Sequence, residues 1–254
     1  MNDLLALLPA SIQPSHLLLA IAALVVAYAI FTLVGFGSAL LASAPLALVM
    51  PVARIIPLLA MLDFGGAALR GWQARQAVAW PEFRRLFPGM LLGQLLGVAI
   101  LARLPPALMA ISLGLFVAVQ GLRGLLGKKA APGAASGHPF GYGLFGGVLG
   151  GLFGSGGFIY AAYLERRLAE RNAFRATQAV LIALSTAWRI VLCLIAGLLD
   201  LELLLLALAC LPVMGLGVYL GHRIDLRISR EQLFLLLNGL LLACGLSLIV
   251  RFAG

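Results

Sequence analysis

The run from Leu17 to Met50 holds 34 consecutive residues without a charge. As one α-helix rising 1.5 Å per residue it would be about 51 Å long, against a bilayer hydrocarbon core of about 30 Å. It is too long for one straight crossing and too apolar to rest in water. "LVGFGSALLA", residues 33–42, offers a place to break it, with glycine on either side of Phe36 and Ser38 following. A break there leaves either a helical hairpin or a helix followed by a re-entrant half-helix. "GLFGSGGFIY", residues 151–160, interrupts a second apolar run, 140–164, in the same way.

The remainder of the chain is of the same kind. Of its 254 residues, 63% are hydrophobic and 11% charged, and the mean hydropathy is +1.08; a soluble domain has about a quarter of its residues charged. The length supplies about eight crossings with short connections and leaves no room for a separate soluble domain. Charge-poor stretches at 17–50, 54–70, 86–104, 106–126, 140–164, 173–198, 201–221 and 232–252 predict the helices of an all-α integral membrane protein. The net charge of +9 falls mostly in short connections, so it reads as membrane topology and not as nucleic-acid binding. The start, "MNDLLALLPASIQPSH", lacks a basic n-region and a small-residue cleavage site, so the first helix is expected to be retained. Cys193, Cys210 and Cys244 lie in apolar segments without C-x-x-C or zinc spacing and read as packing residues; no metal or cofactor is expected.

"GKKAAPGAASGHP", residues 127–139, is a flexible linker between two near-equal halves, 1–126 and 140–254. The halves resemble each other. Phe36-Gly37-Ser38 returns 117 positions later as Phe153-Gly154-Ser155. "PGMLLGQLLG" from Pro88 returns 124 positions later as "PVMGLGVYLG" from Pro212, with Pro, Met and two glycines in step. Glycines also recur every fourth residue at Gly89, Gly93, Gly97, at Gly143, Gly147, Gly151 and at Gly146, Gly150, Gly154. Such faces let a neighbouring backbone approach closely.

Basic residues choose between topologies. If each of the eight segments crosses once, they divide 8 to 9 between the two sides. If both broken segments return to the side they start from, four in 70–85, three in 123–129, four in 166–175 and three in 223–230 put 14 on one side, against 3 on the other. The second division follows the positive-inside rule. It makes each half a broken hairpin plus three crossing helices, sets the two halves in opposite orientations, and places the linker in the cytoplasm with both termini outside. Inverted repeats with interrupted helices near the midplane are a common plan of secondary transporters.

Backbone that leaves a helix inside a bilayer must be satisfied by protein or a water-filled cavity. A half-helix beginning there aims N–H groups and a positive dipole end at whatever fills the cavity, which suits an anion. Ser38 and Ser155 add hydroxyl donors. The plainer account is that Gly and Ser only permit close packing or a kink. Asp63 and Arg189 are the charged residues deep within predicted segments, and such residues default to functional candidates. Arg189 could grip an oxyanion with its fork of donors. Asp63 could hold Arg189 in place or carry a coupling proton, and a structural Asp63–Arg189 pair is an equally open account. Arg70 reads as an interfacial anchor. Thr177, Gln178 and Ser185 on the helix of Arg189, and Gln94, are donors that either bond between helices or face the site. Tyr160 and Trp188 either line a cavity or pack. No H-E-x-x-H or complete nucleotide loop is present, and an enzyme is not expected.

"GFGSALLASAPLAL" in the first half, and "GLFGSGGFIYAAYL", "RATQAVLIALS" and "PVMGLGVYLGHRI" in the second, resemble the sulfite exporter TauE/SafE family over about residues 25–250. The resemblance implies a bacterial inner-membrane carrier, of the exporter kind, for sulfite, thiosulfate, a sulfonate, sulfoacetate or a related small anion. By position it puts Gly37, Ser38, Gly154, Ser155, Gly156 and Gly157 at the substrate. The Pro that follows the turn is present as Pro45 but replaced by Ala162 in the second half. Thr177 has no counterpart near Ile55–Pro57. The sequence therefore predicts a carrier moving a small anion past a midplane site, driven by protons or membrane potential. The competing reading is a non-transporting scaffold or assembly subunit in which Asp63 and Arg189 form a buried pair.

Overall fold

A computed structural model describes residues 14–34, 37–47, 49–126, 138–223 and 230–253. Gly35 and Phe36 of the first break, and 127–137 of the linker, lie outside the described residues. Among the described residues ten α-helices carry the fold: α1 (Pro14–Val34), α2 (Ser38–Leu46), α3 (Val52–Gln73), α4 (Trp80–Leu101), α5 (Pro106–Leu125), α6 (Pro139–Phe153), α7 (Gly157–Arg167), α8 (Arg171–Ile195), α9 (Leu201–Arg223) and α10 (Arg230–Ala253). Among the described residues six helices, α1, α3, α4, α5, α8 and α9, are long and apolar enough to cross a membrane. Their outer faces expose Leu18, Leu92, Leu115 and Ile195, as lipid-facing surfaces do.

Both interruptions are real. The backbone turns at Gly37 (φ 97°) and Gly154 (φ 70°), in the left-handed region that glycine alone enters freely. The 9 residues of α2 and 11 of α7 make half-helices of about 14 and 16 Å. In an unbroken helix Gly146 and Tyr160 would stand about 21 Å apart. Instead a methyl at Gly146 would run into the Tyr160 ring, and one at Gly156 into the Gly146 carbonyl. The chain therefore folds back, and residues 140–164 are a hairpin. In the first half Tyr28 and Ser38, on opposite sides of the break, reach the same oxygen of Asp63.

Two of the periodic glycine faces meet each other. Gly89, Gly93 and Gly97 of α4 lie against Gly143, Gly147 and Gly151 of α6, with a Cβ at Gly97 only 2.5 Å from the Val148 carbonyl and one at Gly151 2.9 Å from that of Gln94. These partners keep a constant offset, so α4 and α6 run parallel. The face of Gly146 and Gly150 turns toward α7 instead. In the second half, Gly217 and Gly221 of α9 lie 2.5 and 2.6 Å, as added Cβ atoms, from the carbonyls of Val25 and Ala29 on α1. The repeated Pro-x-Met-x-x-Gly-x-x-x-Gly motif thus seats its glycines, in each half, against the first helix of the other half. Two further pairs run antiparallel: α5 on α10, where Gly114 faces Gly245 and Gly121 faces Asn238, and α3 on α8.

The α3–α8 pair sets the axis of the molecule. At one end Arg54 of α3 bonds Asp200 and Glu202 just beyond α8, at 3.1 and 2.8 Å. Asp63 and Arg189 meet a common cavity at the middle, and Arg70 and Arg175 share a larger one at the other end. The basic residues divide accordingly. Arg54, Arg103 and Arg251 mark the first end, while the ends of α3, α5, α7 and α9 bring the remaining described connections to the Arg70 end. The α4 helix starts at Trp80, ahead of its apolar segment, because its first turn carries Glu82 on this charged end.

Gly93→Leu is expected to lower stability by about 3 kcal/mol or more, because the side chain meets backbone that cannot withdraw. Gly215→Leu, at a glycine with open space around it, should stay within about 0.5 kcal/mol of the parent. Melting temperature and monodisperse yield in detergent measure both.

Candidate functional site

The middle of the molecule is where both turns arrive. Ser38 begins α2 and Gly157 begins α7, so two helix N-termini, with their orphan N–H groups and positive dipole ends, point into one place. Ser155 is 3% exposed and bonds the Leu149 carbonyl through both its amide, at 3.3 Å, and its hydroxyl, at 3.4 Å. The left-handed Gly154 ends α6, and its Cβ position lies 2.7 Å from Ala39 and 3.0 Å from Arg189 Nη1. The two turns are therefore in contact, with Arg189 against the second of them.

Asp63 and Arg189, 4% and 3% exposed, stand on opposite walls. The Asp63 carboxylate accepts the Tyr28 hydroxyl at 2.8 Å and the Ser38 hydroxyl at 2.7 Å on one oxygen. Arg189 Nη1 donates to the Gly150 carbonyl at 2.7 Å, at the C-terminal end of α6, while its buried Nε–H has no acceptor. Among the described residues no ion pair within 4 Å joins Arg189 to Asp63. The direct buried pair considered from sequence is thus not formed: hydroxyls hold the carboxylate and a helix-end carbonyl holds the guanidinium. A buried charge without a contacting counter-charge is costly unless hydrogen bonds or a ligand complete its shell. Between the two lies a cavity of about 20 Å³, room for about one water. Gly37, Ser38, Asp63, Gly154, Ser155, Gly156, Gly157 and Arg189 all line it, joined by Phe31 and Ser185.

The remaining candidates separate. Thr177 stands 12 residues before Arg189, about 18 Å along the axis. It is buried with its hydroxyl accepting the Ala79 amide at 2.8 Å, which ties α8 to the chain entering α4. Gln178 reaches the site only indirectly, donating to the Gly157 carbonyl at 3.4 Å. Gln94 donates to Ser185 between α4 and α8, Trp188 donates to the Leu91 carbonyl at 3.2 Å, and Tyr160 is buried on the Gly146 face. Tyr28 was not among the sequence candidates. Its signal was available, since it is the one tyrosine in the uncharged run, and a buried phenol needs a polar partner.

A second cavity of about 560 Å³ opens at the Arg70 end, lined among others by Arg70, Gln73, Asn172, Arg175 and Gln178. Arg70 lies 4.1 Å over the Phe31 ring and donates to the Phe31 carbonyl at 3.3 Å. At the other end the Arg54–Asp200–Glu202 ion pairs join the halves. Among the described residues no group of three or more His, Cys, Asp or Glu is placed to hold a metal ion.

The family model for the sulfite exporter TauE/SafE matches residues 19–248. A protein of Comamonas testosteroni described as "Probable inner membrane transporter protein TsaS" is 32% identical over 197 residues, covering 75% of this chain and 81% of that protein. No solved structure matches.

Tyr28→Phe and Ser38→Ala each remove one donor from the buried carboxylate, and each is expected to cost about 1–3 kcal/mol. Ser43→Ala, whose hydroxyl only returns to Leu40 on its own helix, should cost little. Thermal unfolding of the three variants gives the comparison.

Proposed function

The chain belongs to the sulfite exporter TauE/SafE family, and on that premise we propose that it carries a small oxyanion or organic sulfonate across the bacterial inner membrane by alternating access. Sulfite, thiosulfate, sulfonates and sulfoacetate are the substrate candidates, and export is the proposed direction. The observation that carries this is Arg189: a buried guanidinium with an unmatched Nε–H, no contacting acid, and two helix N-termini beside it. That combination favours an anion over a cation or a neutral solute.

The halves act as inverted copies. Antiparallel packing of α3 on α8 and of α5 on α10, with the exchanged α4–α6 and α1–α9 contacts, supports a two-fold axis in the membrane plane, the arrangement that lets one fold present its site to either side. The Arg70 end, which holds the excess of basic residues, is cytoplasmic, and both termini face outward. The ion pairs of Arg54 tie the halves together on the outer side, the larger cavity lies on the inner side, and in the proposed cycle the first is the outer gate and the second the inner approach. The interior-negative potential, worth about 2.3 kcal/mol per charge at 100 mV, favours outward movement of an anion. An ionised Asp63 repels an anion seated at Arg189 and a protonated one does not, so Asp63 is the group through which protons enter the cycle.

In proteoliposomes, Arg189→Gln is expected to reduce sulfite flux about 100-fold and Ser155→Ala about tenfold. Parental flux in both folded variants would remove the central site from consideration. With the three native cysteines replaced, an Arg54→Cys, Asp200→Cys pair joined by a reducible bifunctional thiol reagent should arrest flux and its reduction restore it. Undiminished flux in the cross-linked protein would show that this end never opens.

A further inference from the structure

The larger cavity carries its own chemistry. Among the described residues two arginines line it and no acidic side chain does. Among the described residues neither Arg70 nor Arg175 makes an ion pair within 4 Å. Gln178, 5% exposed, spends its amide N–H on the Gly157 carbonyl and leaves its buried Oε1 without a partner. A carbonyl oxygen in that position is met by water or by the hydroxyl of a partly protonated oxyanion.

Two contacts link this cavity to the central one. Phe31 lines the central cavity and carries the Arg70 guanidinium on its ring and carbonyl. Gly157 lines the central cavity and receives Gln178 from the larger one. Arg70 is therefore held by a ring face and a single neutral acceptor. A fork-shaped bond to an oxyanion is stronger than either hold.

We propose that this vestibule is a second anion site in series with the central one, where Arg70 and Arg175 capture a small oxyanion and the movement of Arg70 off Phe31 opens the way to Arg189. The proposal rests on the central-site reading for its direction of passage but not for its own binding event. Capture at the mouth also concentrates a dilute anion before the narrow step, as a basic, low-dielectric cleft does.

Equilibrium binding of radiolabelled sulfite to the purified protein tests it, with thermal unfolding as the check that each variant is folded. The wild type should bind in two phases. Arg189→Gln should keep one phase, and the Arg70→Gln, Arg175→Gln double variant should keep the other. Arg175→Gln alone, at an exposed position that does not hold the fold, should raise the KM of flux about tenfold, the loss of one charge-assisted contact, with kcat held. If the double variant binds like the wild type, or Arg189→Gln alone abolishes all binding, there is no vestibule site. If instead the double variant loses all binding and Arg189→Gln loses none, the vestibule stands and the central site falls.

Discussion

Backbone that leaves its helix inside a bilayer has no water to turn to, and every amide so released must be met within the protein. Two turns in this chain impose that demand, and the surrounding structure is arranged to meet it. Ser155 returns its amide and hydroxyl to Leu149, Gly154 returns its amide to Gly150, and Arg189 covers the Gly150 carbonyl. The half-helices that follow leave their first N–H groups toward the small cavity between Asp63 and Arg189. The central cavity arises from the same geometry that makes the interruption tolerable.

Bringing two interruptions to one point requires helices to pass unusually close, and the glycine faces supply that approach. The fourth helix of each half lies against the first helix of the other, glycine against backbone. Each half is thereby completed by its counterpart. The polar interior of α8 follows from the same arrangement: Gln178, Ser185 and Arg189 share its buried face while Leu184, Val191 and Ile195 lie outside, the reverse of an amphipathic helix in water.

Much of this was legible beforehand because it rests on counting along the chain. The 34-residue run was too long for one crossing, glycine at Gly37 and Gly154 marked the turns, and the 14 to 3 division of basic residues favoured a return of both broken segments. Period-four glycines announced close helix faces, although not which face would meet which. What stayed hidden was partner choice. Asp63 and Arg189 are the obvious opposite charges, yet hydroxyls from Tyr28 and Ser38 take the carboxylate, and a carbonyl takes the guanidinium. Spacing tells which way a side chain points, whereas its partner depends on how two distant helices are rotated. Thr177 illustrates the same limit: its type left open whether it bonds between helices or faces the site, and its place on the helix sets it against Ala79.

The ion pairs of Arg54 with Asp200 and Glu202 differ in kind from everything at the centre, because their side chains are 35 to 57% exposed. Pairs so wetted contribute about 0–1 kcal/mol each and fade as salt rises. Such a fastener releases easily, whereas a buried pair there would hold the two halves together whatever the salt. The hold between the two halves at this end is thereby tied to the ionic strength of the fluid that bathes it, so the medium itself adjusts how firmly they are fastened there.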